Sequence, residues 1–229
     1  MEPLTLRMGS DGRAGSIFAR GETRVAEIWE GNVLEADPVL TGGTPLVMRS
    51  GWVGGSAWPS DGMFEAEFRT WSSEGWEASA AALAGLATRA RRELWIRPHA
   101  RHALSDVQGV LTAVRSWPED SRLRLLVDPA ALLTLEMIEA ASDHLDRAAD
   151  TLLDLHATVG LVLTNLEAVE SAGGGPTGVR PAPLHRGLLD VADLLRVARA
   201  ASDLGLPVIV VDEQVETQIG VLAGAGAAS

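Results

Sequence analysis

Seven short apolar, largely β-branched runs recur along the chain: PLTLRMG (3–9), VAEIWEG (25–31), TPLVMRSG (44–51), LWIRP (94–98), LRLLVD (123–128), TVGLVLTN (158–165) and LPVIVVDE (206–213). Each ends in a polar or glycine-bearing turn, and helical stretches separate the later ones. Continuous apolar runs of this length fit strands buried on both faces, and helical segments between them are crossovers. The alternation predicts an α/β fold, a (β/α) barrel of seven or eight mostly parallel strands. Only seven runs are evident. The first half is therefore expected either to be incomplete or to hide a strand within 10–20 or 56–70.

The segments between the strands support this reading. Residues 75–92 are rich in Ala and Leu and close on three arginines, which suit the negative end of a helix. Residues 105–117 open on Ser105 with Gln108 three positions later, the spacing of a capping box. The stretch 134–156 reads as one bent helix or two short ones, with Leu145, Ala148, Ala149, Leu152 and Leu155 on one face. Residues 188–204 place Leu188, Val191, Leu195, Ala198 and Ala201 on another, and Gly205 ends that helix before Pro207 opens the last strand. The segment 171–187, rich in Gly and Pro, reads as a mobile linker or a lid, with composition favouring mobility. With 229 residues, 46% of them hydrophobic, one domain over 1–213 is expected, followed by a tail, 214–229, that frays.

Composition narrows the chemistry. Cysteine, lysine and tyrosine are all absent, which excludes disulfides, thiolate ligands, Schiff bases and a tyrosine proton donor. A formal charge of −12 disfavours a phosphate backbone, so nucleic acid is not an expected partner. No run of eighteen uncharged apolar residues and no basic-then-apolar leader is visible, so no membrane is expected and the cytoplasm is the expected compartment.

Chemistry on a barrel of this kind gathers at the carboxyl ends of its strands. Asp128, between an apolar run and Pro129, is placed to hold a ligand. Glu27 and Glu30 straddle Trp29, and Glu27 is expected to line the mouth. His99 and His102 follow a strand, His185 and Arg186 lie in a loop after another, and Asp212 and Glu213 end the last. Trp52 and Trp58 sit in a Gly-rich loop, where they read either as stacking faces for a ligand or as packing residues. There is no GxSxG elbow and no phosphate loop, which would also need a lysine.

LRLLVDPAAL, APLHRGLLDVADLLRVARAASDLGLPVIVVDE and VAEIWEG resemble segments of the xylose isomerase-like TIM barrels, a superfamily of sugar-phosphate isomerases and epimerases that also contains endonucleases. The resemblance covers about residues 90–213 and, more faintly, 1–60. It implies a divalent metal, Mn or Mg, held by acids and a histidine at the ends of four late strands, with two glutamates moving a proton between adjacent carbons. Carried over position by position, Asp128 matches the strand-six aspartate. Arg97 stands where a glutamate is expected, Ala131 near an expected histidine, Gly160 and Val162 where histidines would lie, and Val211 at the final glutamate unless a one-residue slip brings in Asp212.

An arginine in a ligand position places a fixed positive charge where a cation would sit, so Arg97 is expected to pair with Asp128. The expectation is a degenerate isomerase-like barrel with no cofactor, binding a small polar ligand or a protein partner, a second copy of itself included. The alternative is an active isomerase or epimerase with a rearranged acid/base or metal site. Its candidate catalytic groups are Glu27, His99, Asp128, His185 and Asp212, and its candidate substrate contacts are Arg97, Trp52, Trp58, Arg186 and Glu213.

Overall fold

All seven apolar runs are strands, and an eighth lies inside the first of the two windows left open by the sequence. The computed structural model describes residues 4–8, 14–19, 23–54, 68–170 and 176–226. The barrel strands are β1 (Leu4–Met8), β2 (Ala14–Phe18), β3 (Arg24–Trp29), β4 (Leu46–Met48), β5 (Leu94–Ile96), β6 (Leu123–Val127), β7 (Thr158–Val162) and, after an inserted hairpin, β10 (Val208–Val211). They close in the order β1, β2, β3, β4, β5, β6, β7, β10 and back to β1. Every neighbouring pair is parallel except the two that β2 makes, with β1 and with β3. The reason lies in chain length. Only five residues each separate β1 from β2 and β2 from β3, whereas a parallel crossover needs a dozen or more. The first part of the chain is thus a three-stranded meander where alternating strands and helices would otherwise stand.

Strand alternation sorts the core into two layers. Ile17, Ala26, Ile28, Val47, Trp95, Leu126, Val162 and Ile209 form a cluster of their own that fills the barrel, and residues one position away, such as Met48, Ile96, Leu125 and Leu161, join the larger layer beneath the helices. That layer meets α1 (Ser73–Arg89), α2 (Val107–Ser116), α3 (Ala141–Leu152) and α4 (Val191–Asp203). Three details depart from the expected pattern. The cap of α2 is Asp106, whose carboxylate accepts from Gly109 N, because a carboxylate one residue nearer the helix satisfies the free N–H groups in place of Ser105. The buried face of α4 is Leu194, Val197, Ala198 and Ala201, with Leu188 left exposed. Arg91 and Arg92 lie beyond the end of α1, and Arg92 is buried. As expected, Gly205 ends the α4 turn in the left-handed region, at φ +73°.

The Gly- and Pro-rich segment and the tail also differ from expectation. Residues 176–182 form β9 (Pro176–Ala182), which pairs antiparallel with β8 (Asn165–Glu170), so part of the anticipated mobile loop is one arm of a hairpin after β7. The tail forms α5 (Val215–Gly226). Its Gln218 is fully buried, donates to Val211 O (2.8 Å) and Glu213 O (2.7 Å) and accepts from Leu184 N (2.9 Å). This one side chain ties the tail to the end of β10 and to the loop before α4.

Asn165 anchors the base of the hairpin. Its amide donates to Leu184 O and Leu189 O, and its carbonyl accepts from Leu166 N and Leu189 N. Gly187, at φ +150°, packs so tightly here that a Cβ would overlap Asn165 Oδ1 and the Leu166 carbonyl. Gly187→Ala is expected to lower stability by about 1–3 kcal/mol, from backbone strain and displaced packing, read as a lower urea midpoint with an unchanged m-value.

Candidate functional site

The alternation that sends Ile28, Val47, Trp95, Leu126 and Val162 into the barrel sends the residues two positions later inward as well, one step nearer the carboxyl end. These are Glu30, Arg49, Arg97, Asp128 and Thr164, and all are buried. Two acids and two arginines from four neighbouring strands therefore close that end of the barrel, with no net charge among them.

Arg97 grips Asp128 with Nε (2.9 Å) and Nη2 (2.5 Å), both on Oδ2. The other carboxylate oxygen accepts from Ala131 N (3.2 Å) and from the Thr164 hydroxyl (3.5 Å). Both oxygens are thus engaged, and the expected ion pair is present. Beside it Arg49 Nε donates to Glu30 Oε2 (3.4 Å), while the buried Glu30 Oε1 has no hydrogen-bond partner among the described residues. Burial pushes the Arg49 guanidinium below its ordinary pKa, Glu30 opposing this, Arg97 adding to it and Asp128 opposing it.

The loops above are cross-tied. Asn32, fully buried, donates to Trp52 O (2.6 Å) and accepts from Trp52 N and Leu34 N (3.1 Å each), joining the loops after β3 and β4. Ser50 accepts from Leu104 N (3.0 Å) through its hydroxyl and from Ser79 (2.5 Å) through its carbonyl, which adds the loop after β5 and helix α1. Within this frame Trp52 is 1% exposed and stacks on His102, ring centroids 4.9 Å apart. Trp52 is thus a packing residue and not a ligand platform. His102 stands 5.1 Å from His99, and burial first, then neighbouring positive charge, holds both histidines well below 6.5.

The sequence-expected residues divide by place. Asp128 and Arg97 lie together at the axis, with His99 and His102 beside them. Glu27 does not line the mouth. It has the opposite parity to Ala26, Ile28 and Glu30, stands on the outer face of β3, and pairs with Arg92 (2.6 Å) and Arg24 (3.2 Å), the hydrogen bond from Arg92 leading the causes that lower its pKa. His185 is hydrogen-bonded to Gln214 (2.7 Å), and Arg186 pairs with Glu213 (3.1 Å) and reaches Glu167 (3.7 Å). That polar group lies between the loop before α4, the hairpin and the end of β10, where Gln214 takes φ +54°. Asp212 is exposed, and Val211 ends β10. Trp58 lies outside the described residues. Glu27 thus stands apart from the axial residues. Glu30, Arg49 and Thr164 are the members of the axial group that the sequence candidates did not include.

Asp128 gives both oxygens to donors, a guanidinium occupies the adjacent position, and no group of three or more His, Asp or Glu able to hold a metal occurs among the described residues. The residues at the axis do not fit the metal that the sequence resemblance implies. Also among the described residues, no helix is long and apolar enough to cross a membrane.

No protein-family model matches the chain, and no curated protein matches it. Among solved structures it is similar to a xylose isomerase-like TIM barrel protein from Mycobacterium smegmatis in complex with magnesium, with 13% identity and a TM-score of 0.52 over 80% of this chain and 62% of that one. A xylose isomerase-like TIM barrel/4-hydroxyphenylpyruvate dioxygenase fusion protein aligns at 12% identity and a TM-score of 0.43, over 73% of this chain and 23% of the other. The chain therefore spans about three-fifths of the length of the first of these. What that likeness establishes is the fold alone: a closed eight-stranded barrel similar to that of a xylose isomerase-like TIM barrel protein.

Proposed function

We propose that this chain is an isomerase-like barrel in which metal-dependent catalysis has been lost and whose remaining role is to bind a small molecule or a protein partner. One observation carries the reading: the ends of β4 and β5 present Arg49 and Arg97 toward the axis, each paired with an acid from the strand before or after it. A divalent ion at that point would face two fixed positive charges in a medium that screens them poorly. It would also have to displace the Arg97 guanidinium from Asp128. The magnesium of the similar mycobacterial protein belongs to that protein; here the carboxyl end of the barrel is closed by charge pairs internal to the chain. The alternative, an isomerase with a rearranged proton-transfer site, needs Glu27, His99, Asp128, His185 and Asp212 at one pocket, and the outward position of Glu27 and its two arginine partners count against it.

Isothermal titration of the purified chain with Mn²⁺ and with Mg²⁺ tests this. The expected result is no saturable event tighter than millimolar. A single tight site abolished by Asp128→Ala would overturn the reading and restore catalysis as the leading account.

A further inference from the structure

With the axis closed, an opening on the carboxyl face lies to one side of it. A cavity of about 370 Å³ sits between the β8–β9 hairpin and the segments that follow β4, β5 and β6. Four connections that follow successive parallel strands thus meet around it, the arrangement in which barrels hold ligands. Its volume lies at the lower end of the range for small-molecule sites.

The walls and the rim differ in character. Leu133, Leu135 and Leu166 with Val179 and Pro181 make an apolar wall. Trp71 closes one side, its indole N–H fixed on Ala100 O (3.2 Å). Among the described lining residues the rim carries the cation Arg101 and the anion Glu136. Hydrogen bonds from Thr134 and from its own backbone hold the Glu136 carboxyl below its ordinary pKa, with the charge of Arg101 adding to the effect, so Glu136 is a carboxylate at neutral pH. A purely anionic ligand would meet Glu136, and a purely cationic one Arg101. The complement of such a rim is a head group bearing both charges on substituents of one carbon, with an apolar body behind it.

We infer that this cavity is a binding site for a free α-amino acid with a large apolar side chain, its carboxylate toward Arg101, its ammonium toward Glu136 and its side chain against the hairpin and Trp71. The inference rests on the reading of this chain as a small-molecule-binding barrel. It places the ligand beside the axis, in space the hairpin creates.

Titration of the full chain with L-phenylalanine, L-leucine and L-methionine, followed by calorimetry or ligand-observed NMR, provides the test. Saturable binding of at least one is expected, with 3-phenylpropionate and phenethylamine, which each lack one of the two charges, at least tenfold weaker and D-xylose without effect. Arg101→Met and Glu136→Gln are each expected to weaken binding tenfold or more. Val179→Trp, which fills the cavity from a half-buried hairpin position, should abolish it while the melting temperature stays near that of the parent. Absence of binding by all three amino acids, equal binding of the singly charged analogues, or unchanged binding in Val179→Trp would each overturn the inference. None of these results bears on the metal titration, so this inference and the proposed loss of catalysis can fail separately.

Discussion

Asp128→Ala is expected to destabilise the barrel by about 3–5 kcal/mol, because it leaves the Arg97 guanidinium buried without its counter-charge. The partner is 4% exposed and directs two N–H groups at the lost carboxylate. Arg49, a second positive charge that acts against it, is already engaged with Glu30. Removing both charges should behave differently. Replacing a buried pair by apolar groups of similar size is often neutral, so Arg97→Met combined with Asp128→Leu should recover most of the loss. The double-mutant cycle, read from urea unfolding, then isolates a coupling energy of several kcal/mol. A coupling near zero would mean that water, and not Arg97, compensates Asp128.

Much of this arrangement was legible in the sequence, and its limits have physical causes. The parallel strands announce themselves because both faces are buried, which forces continuous apolar runs such as LRLLV. β2 does not, because AGSIF is short, begins with small residues and, among its described side chains, buries only Ile17 fully in the barrel. The pairing of Arg97 with Asp128 was foreseeable because their strands are adjacent and both residues stand at strand ends. Glu30 and Arg49 were missed although a signal existed. IWE, VMR, WIR and LVD, at the ends of β3, β4, β5 and β6, all place a charged residue two positions after a residue that fills the barrel, and the VLT of β7 does the same with a hydroxyl. Reading these triplets in register would have chosen Glu30 over Glu27, since a shift of one residue reverses the face. The hairpin was hidden for another reason. PTGVRPA has poor strand propensity, and its pairing depends on contact with β8 and not on local preference.

The stability of the chain is expected to fall as pH drops below 6.5, well before most carboxylates titrate. His99 and His102 are each held well below 6.5 in the folded state, by burial first and then by positive charge: Arg49, Arg97 and Arg101 around His99, and His99, Arg49 and Arg97 around His102. In the unfolded chain both return to ordinary values near 6.5. Between those limits the unfolded state binds protons that the folded state refuses. Stability is therefore greatest above 6.5 and declines as pH falls toward the depressed folded values, by up to about 1.4 kcal/mol per pH unit for each histidine. Glu27, lowered from 4.5 by Arg92 and Arg24, acts in a more acidic window, and its contribution is lost only as pH falls below that value. His102→Phe keeps a flat ring against Trp52 and removes one of the two titrations, so the slope between pH 6.5 and 5 should fall to about half. Urea unfolding at a series of pH values measures both slopes. A parent profile that stays level down to pH 5 would show that the two histidines are hydrated in solution, and with them the packed lid of Trp52 and His102 over the charge pairs at the axis.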